Sequence, residues 1–198
     1  TQAEHMELLK HGDPWGSYWM PAMSDAPLRG YNGRHEWFWE PGDEAHIFPL
    51  EDLMHMYYNS VGHNSTLIVG LTPDPAGLLP EPDVQRLKEW GDEIKRRFSD
   101  PLAVTSGSGA RVKLDLENST KINHIILQED IALGEGVRAF RVEGKTRNGW
   151  KEIVAGSCIG HKFIHQFDDL DCSGLRLLVD QSDATPVIQE FSVFYVDE

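Results

Sequence analysis

Apolar positions along the chain follow two regimes that change near residue 100. In the first, Leu50, Leu53, Met54, Tyr57 and Val61 recur at helical spacing, which predicts a helix over 49–61. Pro49 suits its first turn, Glu51 and Asp52 complement its positive end, and Gly62 suits its C-terminal cap. A second helix is predicted over 83–98, with Val84, Leu87, Trp90, Ile94 and Phe98 on one side and Lys95, Arg96 and Arg97 in its last turn. A short helix is predicted over 3–11, stopped by Gly12 and Asp13-Pro14. Between these, the apolar runs 18–23 and 66–71 read as strands buried on both faces. Residues 24–34 read as a loop, and 35–39 as a further short strand ended by Pro41-Gly42-Asp43. Strands alternating with helices are the pattern of a parallel α/β sheet. The few elements present cannot cover such a sheet alone, so residues 1–100 are expected to be the end of a larger α/β domain.

The second regime begins after Ser99-Asp100-Pro101. No long helical pattern follows. Strand-like runs at 111–116, 122–127, 137–143, 150–154, 162–167, 175–180 and 187–196 are separated by Gly, Asn and Asp clusters. Thr146-Arg147-Asn148-Gly149 carries an Asn-Gly hairpin signal. Short strands at this spacing predict an antiparallel β-sandwich over 101–198.

Composition narrows the partners. A net charge of −14 argues against nucleic acid or an anionic membrane surface as a partner. No apolar run approaches the roughly 20 residues of a membrane span. Cys158 and Cys172 could form one disulfide or remain two thiols. The chain begins at Thr1 rather than Met, so a targeting segment could have been removed.

Four of the six tryptophans (Trp15, Trp19, Trp37 and Trp39) fall within residues 15–39, beside Tyr18, Tyr31 and Phe38. Asp25, Arg29, Arg34, His35 and Glu36 lie among them. Aromatic faces with a few placed polar groups suit a sugar ring, although the same residues could form a Trp-rich core with charges at its rim. The histidines are scattered, and His35-Glu36 lacks the second histidine of H-E-x-x-H, so neither a metal nor another cofactor is expected. Two sequons occur, at Asn64 and Asn118. The first is expected to bond backbone at a strand entry, and the second to sit in an exposed turn.

The segments Tyr18-Trp19-Met20-Pro21-Ala22 and Glu36-Trp37-Phe38-Trp39, with Asp25 and Arg29 between them, resemble the late catalytic segment of glycoside hydrolase family 29 α-L-fucosidases. So do Leu53 to Gly62, His63 to Leu67 and Pro73 to Leu79. In the second half Leu127-Gln128-Glu129-Asp130-Ile131, Gly134 to Phe140 and Trp150 to Lys162 resemble the family's C-terminal domain. The resemblance implies the last strands and helices of a (β/α)8 barrel, then a galactose-binding-like sandwich. It implies removal of terminal α-linked L-fucose from a glycan by a retaining mechanism, and a secreted, periplasmic or lysosomal location. The family's nucleophile lies in a W-F-D-type motif that this chain does not contain, which implies a partner N-terminal half of the catalytic domain. Many members carry a glutamate where Met23 stands. Glu36 is then the acid/base candidate, with Asp25 the runner-up. Trp37, Phe38, Trp19, Arg34 and His35 are the candidate sugar contacts. The alternatives are a salt-bridged Glu36, aromatic rings packed on a neighbouring helix, a non-catalytic glycan-binding homologue, and an inactive structural fragment. The sandwich is expected to act as a scaffold, with Trp150 in core or turn packing.

Overall fold

The computed structural model describes residues 16–18, 20–34 and 37–197. The expected helix at 3–11 and the residues Trp15, Trp19, His35 and Glu36 lie outside these. Two strands, β1 (Ala22–Pro27) and β2 (Ser65–Gly70), pair in parallel and in register, Asp25 opposite Ile68 and Pro27 opposite Gly70. The first strand thus sits four residues later than the apolar run 18–23 suggests. Tyr18 and Met20 are exposed instead, and the Ser24–Pro27 stretch, expected in a loop, makes the ladder to β2. Residues 37 and 38 are a bend, and 39 is in no strand.

Helix α1 (Leu50–Asn59) precedes β2, and α2 (Glu81–Phe98) follows it. In α1, Leu53 and Met54 are buried, and Gly62 N–H closes the helix by donating to Tyr57 O at 3.1 Å. Glycine is required at 62 because a Cβ there would stand 2.3 Å from Tyr58 O. Neither helix is long and apolar enough to cross a membrane.

After α2 ends at Phe98 the chain is antiparallel: β3 (Ala103–Ser108), β4 (Arg111–Glu129), β5 (Val137–Thr146), β6 (Gly149–Gly156), β7 (Phe163–Ser182) and β8 (Val187–Phe194). Their order is β3-β8-β4-β7-β5-β6. Four of the expected short strands are halves of two long ones. The polar stretch 117–119 lies in an irregularity within β4, whose register against β7 shifts between Asp115 and Thr120. β8 pairs only with the later part of β4, and β5 only with the later part of β7. The continuous ladder therefore makes two half-sheets, and their inner faces share one core. Val112, Leu114, Phe140 and Leu177 come from one half, and Ile125, Leu127, Phe191 and Val193 from the other. This is a β-sandwich built from one folded sheet.

The second half-sheet is covered on both faces, so 122–127 are all buried. Ile125 and Leu127 face the sandwich core, while Ile126, Ile164, Phe194 and Val196 face Tyr57, Tyr58 and Phe98 of the helices. Backbone bonds extend the joint: Asn64 N–H to Lys162 O at 2.8 Å and Ile164 N–H to Gly62 O at 2.9 Å.

Candidate active site

Alternation along paired strands puts Met23, Asp25 and Pro27 on the same face as Thr66, Ile68 and Gly70. Met23, Asp25, Thr66 and Ile68 on that face are exposed, whereas Ser24, Ala26, Leu67 and Val69 on the other are partly buried. Trp37 lies at the C-terminal end of the exposed face. A Cβ on Gly70 would stand 2.6 Å from Trp37 Cζ3 and 2.9 Å from Cε3, so the indole rests directly on the glycine. Its other surface is open, leaving Trp37 47% exposed. Phe38 projects further, at 82%. Strand alternation does not decide between these rings, because neither is in a strand. Of the two, only Trp37 is held against Gly70.

Met23 is the second residue of β1, about 13 Å below its C-terminal end at ~3.3 Å per residue. Asp25 is midway along the strand, and its exposed carboxylate shares the face of Trp37. Met23 is therefore not at the rim where Trp37 sits. The thioether of Met23 cannot transfer a proton, and it stands exposed along the face of β1.

The loop that carries Trp37 is strongly anchored. Leu28 N–H donates to Gly70 O at 2.9 Å, and Phe48 N–H donates to Leu28 O at 3.1 Å. Arg29, fully buried, donates from Nε to Asp83 Oδ1 at 3.1 Å and from Nη2 to Asp83 Oδ2 at 2.5 Å. Those bonds to Asp83 raise the Arg29 pKa, so the guanidinium stays charged. Asp83 is in the first turn of α2, where the helix end favours an anion. Arg34 pairs with Glu40, and its Nε lies 3.3 Å from Oδ1 of buried Asp43. His46 Nε2 is 3.7 Å from the same oxygen, and its Nδ1 is 3.1 Å from Tyr31 O.

Asp83 and Gly70 were not singled out from sequence. Asp83 reads there simply as the first residue of a helix. Gly70 carried a usable signal, since a glycine inside an apolar strand often marks close approach by another group.

Asn64 is committed to structure: its Oδ1 accepts from His161 N–H at 2.7 Å, the backbone bond expected of the first sequon. Asn118 is exposed, but within the irregular stretch of β4 rather than a turn. Both cysteines are free thiols. Trp150 is 40% exposed and so outside the core; it follows the hairpin turn at the start of β6, where Arg176 stacks on its ring at 4.1 Å and pairs with Glu143. Among the described residues no group of three or more His, Cys, Asp or Glu side chains is placed to hold a metal ion.

A separate cleft lies between the end of α2 and the sandwich, lined by Arg97, Asn123, His124, Gln166, Tyr195 and Asp197 among others. Several of its polar groups bond one another. Arg97 Nη1–H donates to the Tyr58 hydroxyl Oη at 3.2 Å, and Tyr58 Oη and His124 Nε2 are 2.9 Å apart. His124 Nδ1 lies 2.8 Å from Asn123 Oδ1, while Asn123 Nδ2 donates to Val196 O at 2.8 Å. That arrangement ties helices to sandwich and is structural in character.

No family model matches the chain. A crystal structure of an α-L-fucosidase homologue from Bacteroides thetaiotaomicron superposes with a TM-score of 0.94 at 52% identity, over 98% of this chain and 45% of that one. A glycoside hydrolase 29 family member from an unknown rumen bacterium superposes with a TM-score of 0.83 at 26% identity, over 97% of this chain and 36% of that one. An α-L-fucosidase homologue from rice is 30% identical over 95% of this chain and 42% of its own length. The chain thus spans less than half the length of the curated relatives it matches. It is homologous to the C-terminal portion of the α-L-fucosidases of glycoside hydrolase family 29.

Proposed function

We propose that this chain is part of a retaining α-L-fucosidase that removes terminal α-linked L-fucose, or a closely similar L-sugar, from glycans. The observation that carries the reading is the Trp37 ring, held on Gly70 at the C-terminal end of a parallel strand pair with one face open. In a (β/α)8 barrel that end of the strands is where active sites form. On this reading residues 1–100 belong to the catalytic barrel and 101–198 to the sandwich, and the exposed face of β1 and β2 is the barrel interior. Trp37 is the apolar wall for the sugar, and Phe38, Trp19, Arg34 and His35 are further candidate sugar contacts. Glu36, which precedes Trp37 in the chain, is the acid/base. A glutamic acid there can give a proton to the departing oxygen and take one from water in the second step. The nucleophilic carboxylate comes from the part of the protein outside this chain, and retention asks that the two lie about 5–5.5 Å apart. Asp25 is deeper in the barrel and suited to a sugar hydroxyl or to orienting neighbours.

The sandwich serves as scaffold, supported by the core it shares with Tyr57, Tyr58 and Phe98. A secreted, periplasmic or lysosomal setting fits an enzyme acting on glycans. The test is hydrolysis of an aryl α-L-fucoside by the full-length protein, with the anomer of the first-formed sugar read by NMR. Release of α-L-fucose is expected. Fucose binding without hydrolysis would refute an enzymatic role, and β-fucose as the first product would refute retention.

A further inference from the structure

The loop from Leu28 to Trp37 begins and ends on one residue. Leu28 N–H bonds Gly70 O, and the Trp37 ring covers Gly70 Cα. Between these two points Arg29 is directed away from the strand face, into a fully buried two-bond pairing with Asp83 of α2, 54 positions along the chain. Gly30 follows beneath the Phe48 ring, where a Cβ would stand 2.6 Å from Cε2. Phe48 is in turn fixed by Arg86 of α2, whose Nη1 donates to Phe48 O at 2.5 Å. One arginine therefore binds this loop directly to the first turns of α2, and a second does so through Phe48.

A buried ion pair adds little net stability over an apolar pair of the same volume, but its fork geometry specifies position. We infer that Arg29 and Asp83 are positioning residues, holding the loop so that Trp37 stands over Gly70 as the sugar wall. The inference rests on the fucosidase reading for its kinetic consequence, though not for its structural one. Neither residue touches the sugar. Their effect passes through Leu28 and Gly30 to the placement of the indole. A wall displaced by about an ångström loses substrate contact in ground and transition states alike, so KM changes more than kcat.

The test uses the full-length protein with the pair replaced by apolar residues, Arg29→Met with Asp83→Leu, which leaves no unpaired buried charge. Arg29→Lys, which keeps the charge but loses the two-bond fork, serves if the double variant does not fold. Amide exchange at Leu28 and Phe48 reads the loop directly and independently of activity. Exchange at least tenfold faster at these amides is expected, with unfolding temperature near wild type. On an aryl α-L-fucoside, kcat/KM should fall tenfold or more, chiefly through KM. Gly70→Ala, which dislodges Trp37 from the other side, should give the same phenotype and add little to the pair variant. Unchanged exchange, wild-type kcat/KM, or a loss carried by kcat alone overturns the inference. An inactive wild-type protein whose loop still loosens in the variant would instead refute the fucosidase reading and leave the positioning role standing.

Discussion

Acidification should loosen the joint between helices and sandwich, through His124. This side chain is 1% exposed, and burial lowers its pKa to about 4, with the charges of Arg97 and His165 adding to the effect. Its hydrogen bonds fix the neutral form. Asn123 Oδ1 already accepts from Val196 N–H at 2.9 Å while its Nδ2 donates to Val196 O, so the amide orientation is set. His124 Nδ1–H must then donate to Asn123, leaving Nε2 to accept from Tyr58 O–H. Arg97 already donates to that same hydroxyl oxygen. A proton on Nε2 would make that nitrogen a donor and remove the bond it accepts from Tyr58. The sign follows: the unfolded chain, titrating near 6.5, takes up this proton before the folded one does. Folding stability is therefore unaffected above about pH 7 and falls as pH drops through 6.5 towards 4. At about 1.4 kcal/mol per tenfold change, the loss is about 2 kcal/mol by pH 5 and about 3 kcal/mol at its limit. Urea unfolding at pH 5, 6, 7 and 8 measures it. Because His165 is also lowered by burial, the comparison is with His124→Gln, which cannot titrate. Wild type should lose about 2 kcal/mol more than the variant between pH 7 and pH 5. Parallel pH profiles, agreeing within about 0.5 kcal/mol, would refute the reasoning.

Two further perturbations probe the same frame. Phe98 packs edge-on to Phe194 at 5.5 Å between ring centroids and contacts Tyr57, Tyr58 and His124, so Phe98→Ala should destabilise by about 3 kcal/mol in denaturant unfolding. Glu129 is buried and accepts from the backbone N–H groups of Gly136, Val137 and Gly160 at 2.8–3.1 Å. Glu129→Gln turns an amide donor toward one of these donors, and should cost about 2–3 kcal/mol while leaving the far-UV dichroism unchanged.

Sequence reasoning succeeded where a pattern is local. The helices at 50–59 and 81–98 follow from spacing and end signals, and β2 from a β-branched apolar run. It failed where the partner is remote. Tyr18-Trp19-Met20 is as apolar as any strand, yet β1 starts at Ala22 because the ladder to β2 selects the next residues. β3, AVTSGS, was missed because it is small and polar and alternates only between partly buried and exposed. The polar residues inside β4 and β7 looked like turns, although a shift of register absorbs them without ending either strand. At the candidate site, Trp37 and Asp25 were legible from residue type and motif. The Arg29–Asp83 pair was not, since nothing local to either residue indicates a partner more than fifty positions away.

The central proposal is that Glu36, which precedes Trp37 in the chain, transfers the proton in glycoside cleavage. It is tested most directly by comparing Glu36→Gln with wild type, in the full-length protein, on α-L-fucosides with good and poor leaving groups. An acid is needed most when the departing oxygen is a strong base. The account predicts a loss of about 10²–10⁴-fold on the poor leaving group and a much smaller one on the good. Equal losses on both substrates, or none on either, would contradict it.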